Sequence, residues 1–182
     1  FVISCGRRHF ANDKSWMMSV LFNLGMGEGP KLNVARSQHA SGIVTDSETG
    51  ETIIVTAGGL DDGDSLDSTE ILIENTWIRV GKILSTFVIQ IIPCQIICSL
   101  KITFSFLGPS LPKRIFGSSI VPYGKDLVLI GGYSYDDEFQ DGFYKFSCSS
   151  RNCVWTEMPQ KLAVARENFV AIPIPDDLAI CV

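Results

Sequence analysis

GPKLNVARSQHASGIV, residues 29–44, returns as GPSLPKRIFGSSIV, residues 108–121. The first copy runs on to Ala57-Gly58-Gly59 and the second to Ile130-Gly131-Gly132. Each then crosses an acidic stretch and reaches a tryptophan, Trp77 or Trp155. MPQKLAVARENFVAIPIP, residues 158–175, opens a third copy. A period of this length means that the fold is one supersecondary unit used repeatedly.

Working outward, each copy carries the same sequence of short runs. ETIIVTA (51–57) and DLVLI (126–130) are rich in Ile, Val and Leu and are bounded by Gly and polar residues, which reads as buried strand. Residues 41–44 and 119–121 supply a second strand, residues 70–73 and 142–146 a third, and a fourth starts at Trp77 or Trp155. TDSETGE (45–51) and PYGK (122–125) are turn clusters. No segment shows a capped helical apolar stripe. The expectation is all-β, with four short antiparallel strands per unit.

The recurring signature is an arginine near the start (Arg36, Arg114, Arg166), a Gly-Gly pair (Gly58-Gly59, Gly131-Gly132) and a tryptophan (Trp77, Trp155). It resembles the kelch repeat over residues 29–182. The resemblance implies an incomplete kelch-type β-propeller, with 29–81 as the first repeat, 109–155 as the second and 156–182 as a truncated third, further blades coming from sequence beyond this chain. It implies a protein-interaction surface, as in recognition arms of larger adaptors or in scaffolds. A pair of glycines at a strand end permits positive φ and close backbone approach. A tryptophan ring can fill the gap between packed sheets while its N–H finds a partner.

The period is broken once. Arg114 and Arg166 are 52 residues apart, but Arg36 and Arg114 are 78 apart, as are Trp77 and Trp155. The excess falls in residues 82–108, which carry no charge from Ile83 to Leu100. Three readings stand: a membrane span at 83–106, an apolar insertion loop needing cover, or translated intron. Gly81-Lys82 can be encoded with a splice donor, and Phe104 to Gly108 with a pyrimidine tract and acceptor. Removing 82–108 restores the even spacing.

The chain has 182 residues, begins with Phe1 and stops at Cys181-Val182 inside an expected strand, which reads as a fragment. Repeat units bury their faces on neighbours, so the chain is expected to be an open arc with exposed faces. Residues 1–28 fit no position of the repeat. A net charge of −5 argues against nucleic-acid binding, and no basic cluster suggests an anionic membrane surface. No secretory signal is evident, so a cytoplasmic location is expected. Cys148 and Cys153 bracket a hairpin tip. They are either a disulfide, if the chain is extracellular, or two reduced structural thiols.

Catalytic patterns are missing. There is no nucleophile elbow, no Gly-x-x-x-x-Gly-Lys-Ser/Thr loop and no paired short-spaced Cys set for zinc. His39, three residues after Arg36, reads as structural because a general base needs a positioned partner. The chain is therefore expected to be non-catalytic, without a cofactor. The alternative is a galactose-oxidase-like enzyme, which shares the architecture but needs copper ligands that the repeats do not offer. The remaining candidates are acidic: Asp61, Asp62, Asp64 and Asp67 after the first Gly-Gly, and Asp136, Asp137, Glu138 and Asp141 after the second. They read either as solvated turn residues or, since equivalent loops share a face, as an acidic rim that orients a basic protein segment.

Overall fold

The computed structural model describes residues 30–80 and 110–174, together with three strands near the N-terminus, Val2–Gly6 (β1), Met17–Phe22 (β2) and Gly25–Met26 (β3), which form an antiparallel sheet in that order. The insertion at 82–108 lies outside the described residues. Every element among those residues is a strand.

Unit 1 is a four-stranded antiparallel sheet of Ala40–Thr45 (β4), Thr52–Ala57 (β5), Thr69–Ile73 (β8) and Thr76–Val80 (β9), in the order β4-β5-β8-β9. A two-stranded hairpin, Leu60–Asp61 (β6) and Asp64–Ser65 (β7), sits between its second and third strands. Unit 2 repeats the plan. Its sheet is Ser119–Tyr123 (β10), Asp126–Ile130 (β11), Gly142–Ser149 (β14) and Asn152–Lys161 (β15), and its hairpin is Tyr133–Ser134 (β12) with Glu138–Phe139 (β13). The fourth strand runs on to Lys161, six residues past the expected boundary at 155. It starts three residues before Trp155, and β9 starts one before Trp77.

The register sets the sheet strands of the two copies in correspondence. Ala57 faces Thr69 and Ile130 faces Phe143, while Trp77 faces Leu72 and Trp155 faces Phe146. Isolated bridges join Ser37 to Leu60 and Phe116 to Tyr133. These pairs make Ser37 equivalent to Phe116, and so Arg36 equivalent to Ile115 rather than to Arg114. Glu70 is likewise equivalent to Tyr144.

The seam between units repeats as well. Gly59 N donates to Ile115 O (2.9 Å) and Gly132 N to Arg166 O (2.9 Å). Leu111 N donates to Asp67 O and Leu162 N to Asp141 O, both at 2.8 Å. Residues 162–168 thus lie along unit 2 as residues 111–117 lie along unit 1. Crowding at this seam explains the Gly pairs. Gly58 has φ +65° and a Cβ there would overlap the Ile115 carbonyl oxygen. Gly131, at φ +60°, would bring a Cβ to 2.7 Å from the Arg166 carbonyl oxygen.

One apolar core joins the two sheets. Val44, Ile53, Val55 and Ile71 of unit 1 pack with Leu127, Leu129, Tyr144 and Phe146 of unit 2. Gly42 leaves room for the Leu127 methyl groups, which a Cβ would meet at 2.9 Å. Trp155 is 7% exposed, packs at a tilt against Phe146 with ring centroids 4.8 Å apart, and donates its indole N–H to Thr69 Oγ1 of unit 1 (3.0 Å). Trp77 packs with Leu32 and donates to Pro30 O (3.1 Å). Past the second seam, Val164, Val170, Ile172 and Ile174 stand exposed.

Unit 2 differs in one useful way: its β14–β15 hairpin is two rungs longer at the tip and one at the base. The extra rungs include the facing pair Cys148 and Cys153, whose sulfurs are bonded and buried. The tip reaches the β4–β5 turn of unit 1, where Asp46 is fully buried. Asp46 Oδ1 accepts from the amides of Glu48, Thr49 and Ser150, and Oδ2 accepts from Arg151 N at 2.7 Å. These amides, Thr49's above all, hold its pKa down at about 2. Glu48 accepts from the Ser149 and Ser150 hydroxyls, and Arg151 pairs with Glu51 at 3.2 Å. Ser150 and Arg151 have φ of 48° and 62°, a turn that neither residue type favours, so the clasp and the covalent bridge hold it in place.

Candidate interaction surface

The hairpins that follow the Gly-Gly pairs carry the acidic residues. In unit 1, β6–β7 turns at Asp62 and Gly63, with φ of 48° and 98°. Asp62 and Asp64 are exposed, and Asp61 and Asp67 half-buried. In unit 2 the β12–β13 tip places Asp136, Asp137 and Glu138 in solvent, with Asp141 half-buried beyond it.

The seam brings some of them together. A pocket of about 280 Å³ is lined by Asp67 of unit 1, by Pro112, Lys113 and Arg114 of the connecting segment, and by Ser134, Asp136 and Asp137 of unit 2. Two of the acids are matched by cations. Asp137 pairs with Lys113 at 3.0 Å, and Asp141 with Lys161 at 3.4 Å. The hydrogen bond to Asp137 raises the Lys113 pKa, and that to Glu157 raises the Lys161 pKa. Asp61, Asp62 and Asp64 remain on their own hairpin, away from this pocket's lining. The surface is therefore mixed in charge, with an acidic excess.

The β12–β13 tip is firmly built. Gln140 is buried and its Nε2 donates to the carbonyls of Asp137 (3.1 Å) and Glu138 (2.9 Å), while its Oε1 accepts from Lys113 Nζ (3.3 Å). Ser134 Oγ accepts from Asp136 N (3.3 Å). On this frame sit four rings. Phe116 and Tyr133 are 5.5 Å apart at their centroids, Tyr135 lies 5.3 Å from Phe116, and Phe139 stands edge-on to Tyr133 at 5.2 Å. Tyr135 is 58% exposed and Phe139 54%. The acids drew attention in the sequence, and the rings did not, although YSYDDEF (133–139) interleaves the two.

The signature residues divide by role. Arg36 is fully buried: Nη1 donates to Gly58 O (2.8 Å) and Ser68 O (2.9 Å), and Nη2 to Ser68 Oγ (3.0 Å) and Glu70 Oε1 (2.7 Å). Glu70, also fully buried, accepts from Asn33 N, Asn33 Nδ2 and Val34 N as well. Burial lowers the Arg36 pKa, opposed by the charge of Glu70. Ile115 fills the same slot in unit 2, Arg114 is exposed at the pocket, and the Arg166 side chain is exposed at the second seam, where its carbonyl accepts from Gly132 N. Burial first, and the Arg36 charge second, push the His39 pKa down to about 4, so this imidazole is neutral at pH 7, with a buried Nδ1 that has no hydrogen-bond partner among the described residues.

Among the described residues no group of three or more His, Cys, Asp or Glu side chains is arranged to hold a metal ion. No helix among them is long and apolar enough to cross a membrane, and residues 82–108 lie outside that statement. No family model matches the chain, and no curated protein matches it at significant similarity.

Proposed function

We propose that this chain is part of a kelch-type β-propeller and serves as a non-catalytic protein-interaction module, whose face at the Gly-Gly end takes a basic protein segment. The observation that carries the reading is the repetition of a four-stranded antiparallel sheet with identical seam hydrogen bonds on either side of unit 2. Propeller blades are four-stranded sheets of this kind, each buried on its neighbours. The exposed valines and isoleucines past the second seam are what a third blade would cover. Equivalent loops of successive blades share one face, and here those loops hold an excess of carboxylates. Such a face steers and orients cationic partners.

The test is direct. Replacing Asp61, Asp62, Asp136 and Asp137 together with Asn should weaken binding of a lysine- and arginine-rich peptide and flatten its dependence on salt. Unchanged affinity and unchanged salt dependence would overturn the basic-partner reading. The disulfide also favours an oxidising compartment over the cytoplasmic expectation.

A further inference from the structure

Unit 1 shows what the repeat requires after a Gly-Gly pair. It uses Leu60 at the bridge position, a polar turn through Asp62 and Gly63, and Leu66 where unit 2 has Gln140. Unit 2 instead carries Tyr133, Tyr135 and Phe139, and spends a buried glutamine on fixing their loop. Fold maintenance does not demand this change, because unit 1 closes the same seam without it. More than half of the Tyr135 and Phe139 surface faces solvent. Rigid aromatics held in solvent on a pre-organised loop are the usual anchors of protein interfaces, since little freedom is lost when a partner arrives.

Charge decides what that partner brings. The β12–β13 tip that carries the rings also carries Asp136, Asp137 and Glu138, and the pocket lined by Asp136 and Asp137 adds Asp67 against Lys113 and Arg114, four acids to two bases. Lys113 is committed to Asp137, and no ion pair engages Asp136 or Glu138 among the described residues. An aromatic face beside unpaired carboxylates suits a planar cation, which stacks on the ring and donates hydrogen bonds to the oxygens at once. We infer that the β12–β13 tip docks an arginine side chain of a partner protein, with the Tyr135 and Phe139 rings taking the guanidinium and Asp136 and Glu138 its charge. This deepens the interaction reading above and rests on it.

The 182-residue chain, labelled with ¹⁵N, should be titrated with an acetylated Gly-Arg decapeptide and with its Gly-Lys counterpart of equal charge. The arginine peptide should shift the amides of residues 133–140 and bind several-fold more tightly than the lysine peptide. Tyr135→Ser and Phe139→Ser should each weaken it about tenfold and erase the arginine preference. Phe139→Leu keeps apolar bulk while removing the ring, and should lose the preference too, which guards against a hairpin that merely loosens. If the aromatic variants bind like the parent while Asp136→Asn/Glu138→Gln still weakens binding, the arginine dock is wrong and the acidic-face reading survives. If neither set matters, or no peptide binds, both are wrong.

Discussion

Removing the Arg36 side chain in Arg36→Met leaves Glu70 wholly buried and without the guanidinium that sits 2.7 Å from its Oε1. The Gly58 and Ser68 carbonyls lose donors at the same time. Breaking a buried pair in this way costs about 3–5 kcal/mol. The chain itself supplies the control. In unit 2 the slot holds Ile115, Tyr144 stands where Glu70 would be, and Ser118 Oγ donates to the Gly131 carbonyl (2.9 Å) in place of the arginine. Ser118 occupies the position of His39. The triple variant Arg36→Ile/His39→Ser/Glu70→Tyr, made in a Ser68→Gly background because unit 2 has Gly142 there and a Cβ would meet the Tyr144 ring at 3.1–3.2 Å, therefore imports the unit 2 solution, and apolar replacements of buried ion pairs are commonly neutral or better. Native-state hydrogen exchange over residues 52–57 and 69–73 reads the local free energy. Arg36→Met should speed exchange there by about two to nearly four orders of magnitude, at about 1.4 kcal/mol per decade. The triple variant should recover most of that loss. A single variant within tenfold of the parent, or a triple variant worse than the single, would refute the reasoning.

Acid should weaken the fold in two windows. His39 has its pKa lowered from 6.5 to about 4, so between those values the unfolded chain takes up a proton that the folded form refuses. Stability falls through that window by roughly 3 kcal/mol at most, and His39→Ser should flatten it in urea titrations run from pH 7 to 4. Asp46 has its pKa lowered from 3.8 to about 2, so its contribution, about 2 kcal/mol, is full above pH 4 and lost as pH falls toward 2, a slope that Asp46→Asn should abolish. Cys148→Ser/Cys153→Ser should cost about 2 kcal/mol and raise exchange at Ser150 and Arg151 amides, and thiol labelling of the parent under denaturing, non-reducing conditions should find these two cysteines blocked.

Strand positions were legible because ETIIVTA and DLVLI are apolar runs too short for helices, buried along most of their length, and the turns around them carry Gly and Asp. Four-stranded antiparallel sheets stand at those places. Residue type matches Arg114 to Arg36, whereas the slot is defined by the bridge made one residue further on, Ser37 to Leu60 and Phe116 to Tyr133, which puts Ile115 there. A change from ion pair to Ile and Tyr conserves burial without conserving chemistry, and sequence comparison sees only the chemistry. Asp46 was invisible for another reason. Two of its partners are amides more than 100 residues away, a donor that nearly every residue owns. The acidic loops were legible as charge, but which carboxylates meet at the seam pocket depends on how the two sheets pack.

The claim beneath all of this is that residues 30–80 and 110–161 are two copies of one sheet packed across a repeating seam. Nuclear Overhauser contacts in the labelled chain test it most directly. They should connect the Trp155 indole N–H to Thr69, the Gly59 amide to Ile115, and the Gly132 amide to Arg166. Intact contacts within each sheet, with none of these three, would contradict it.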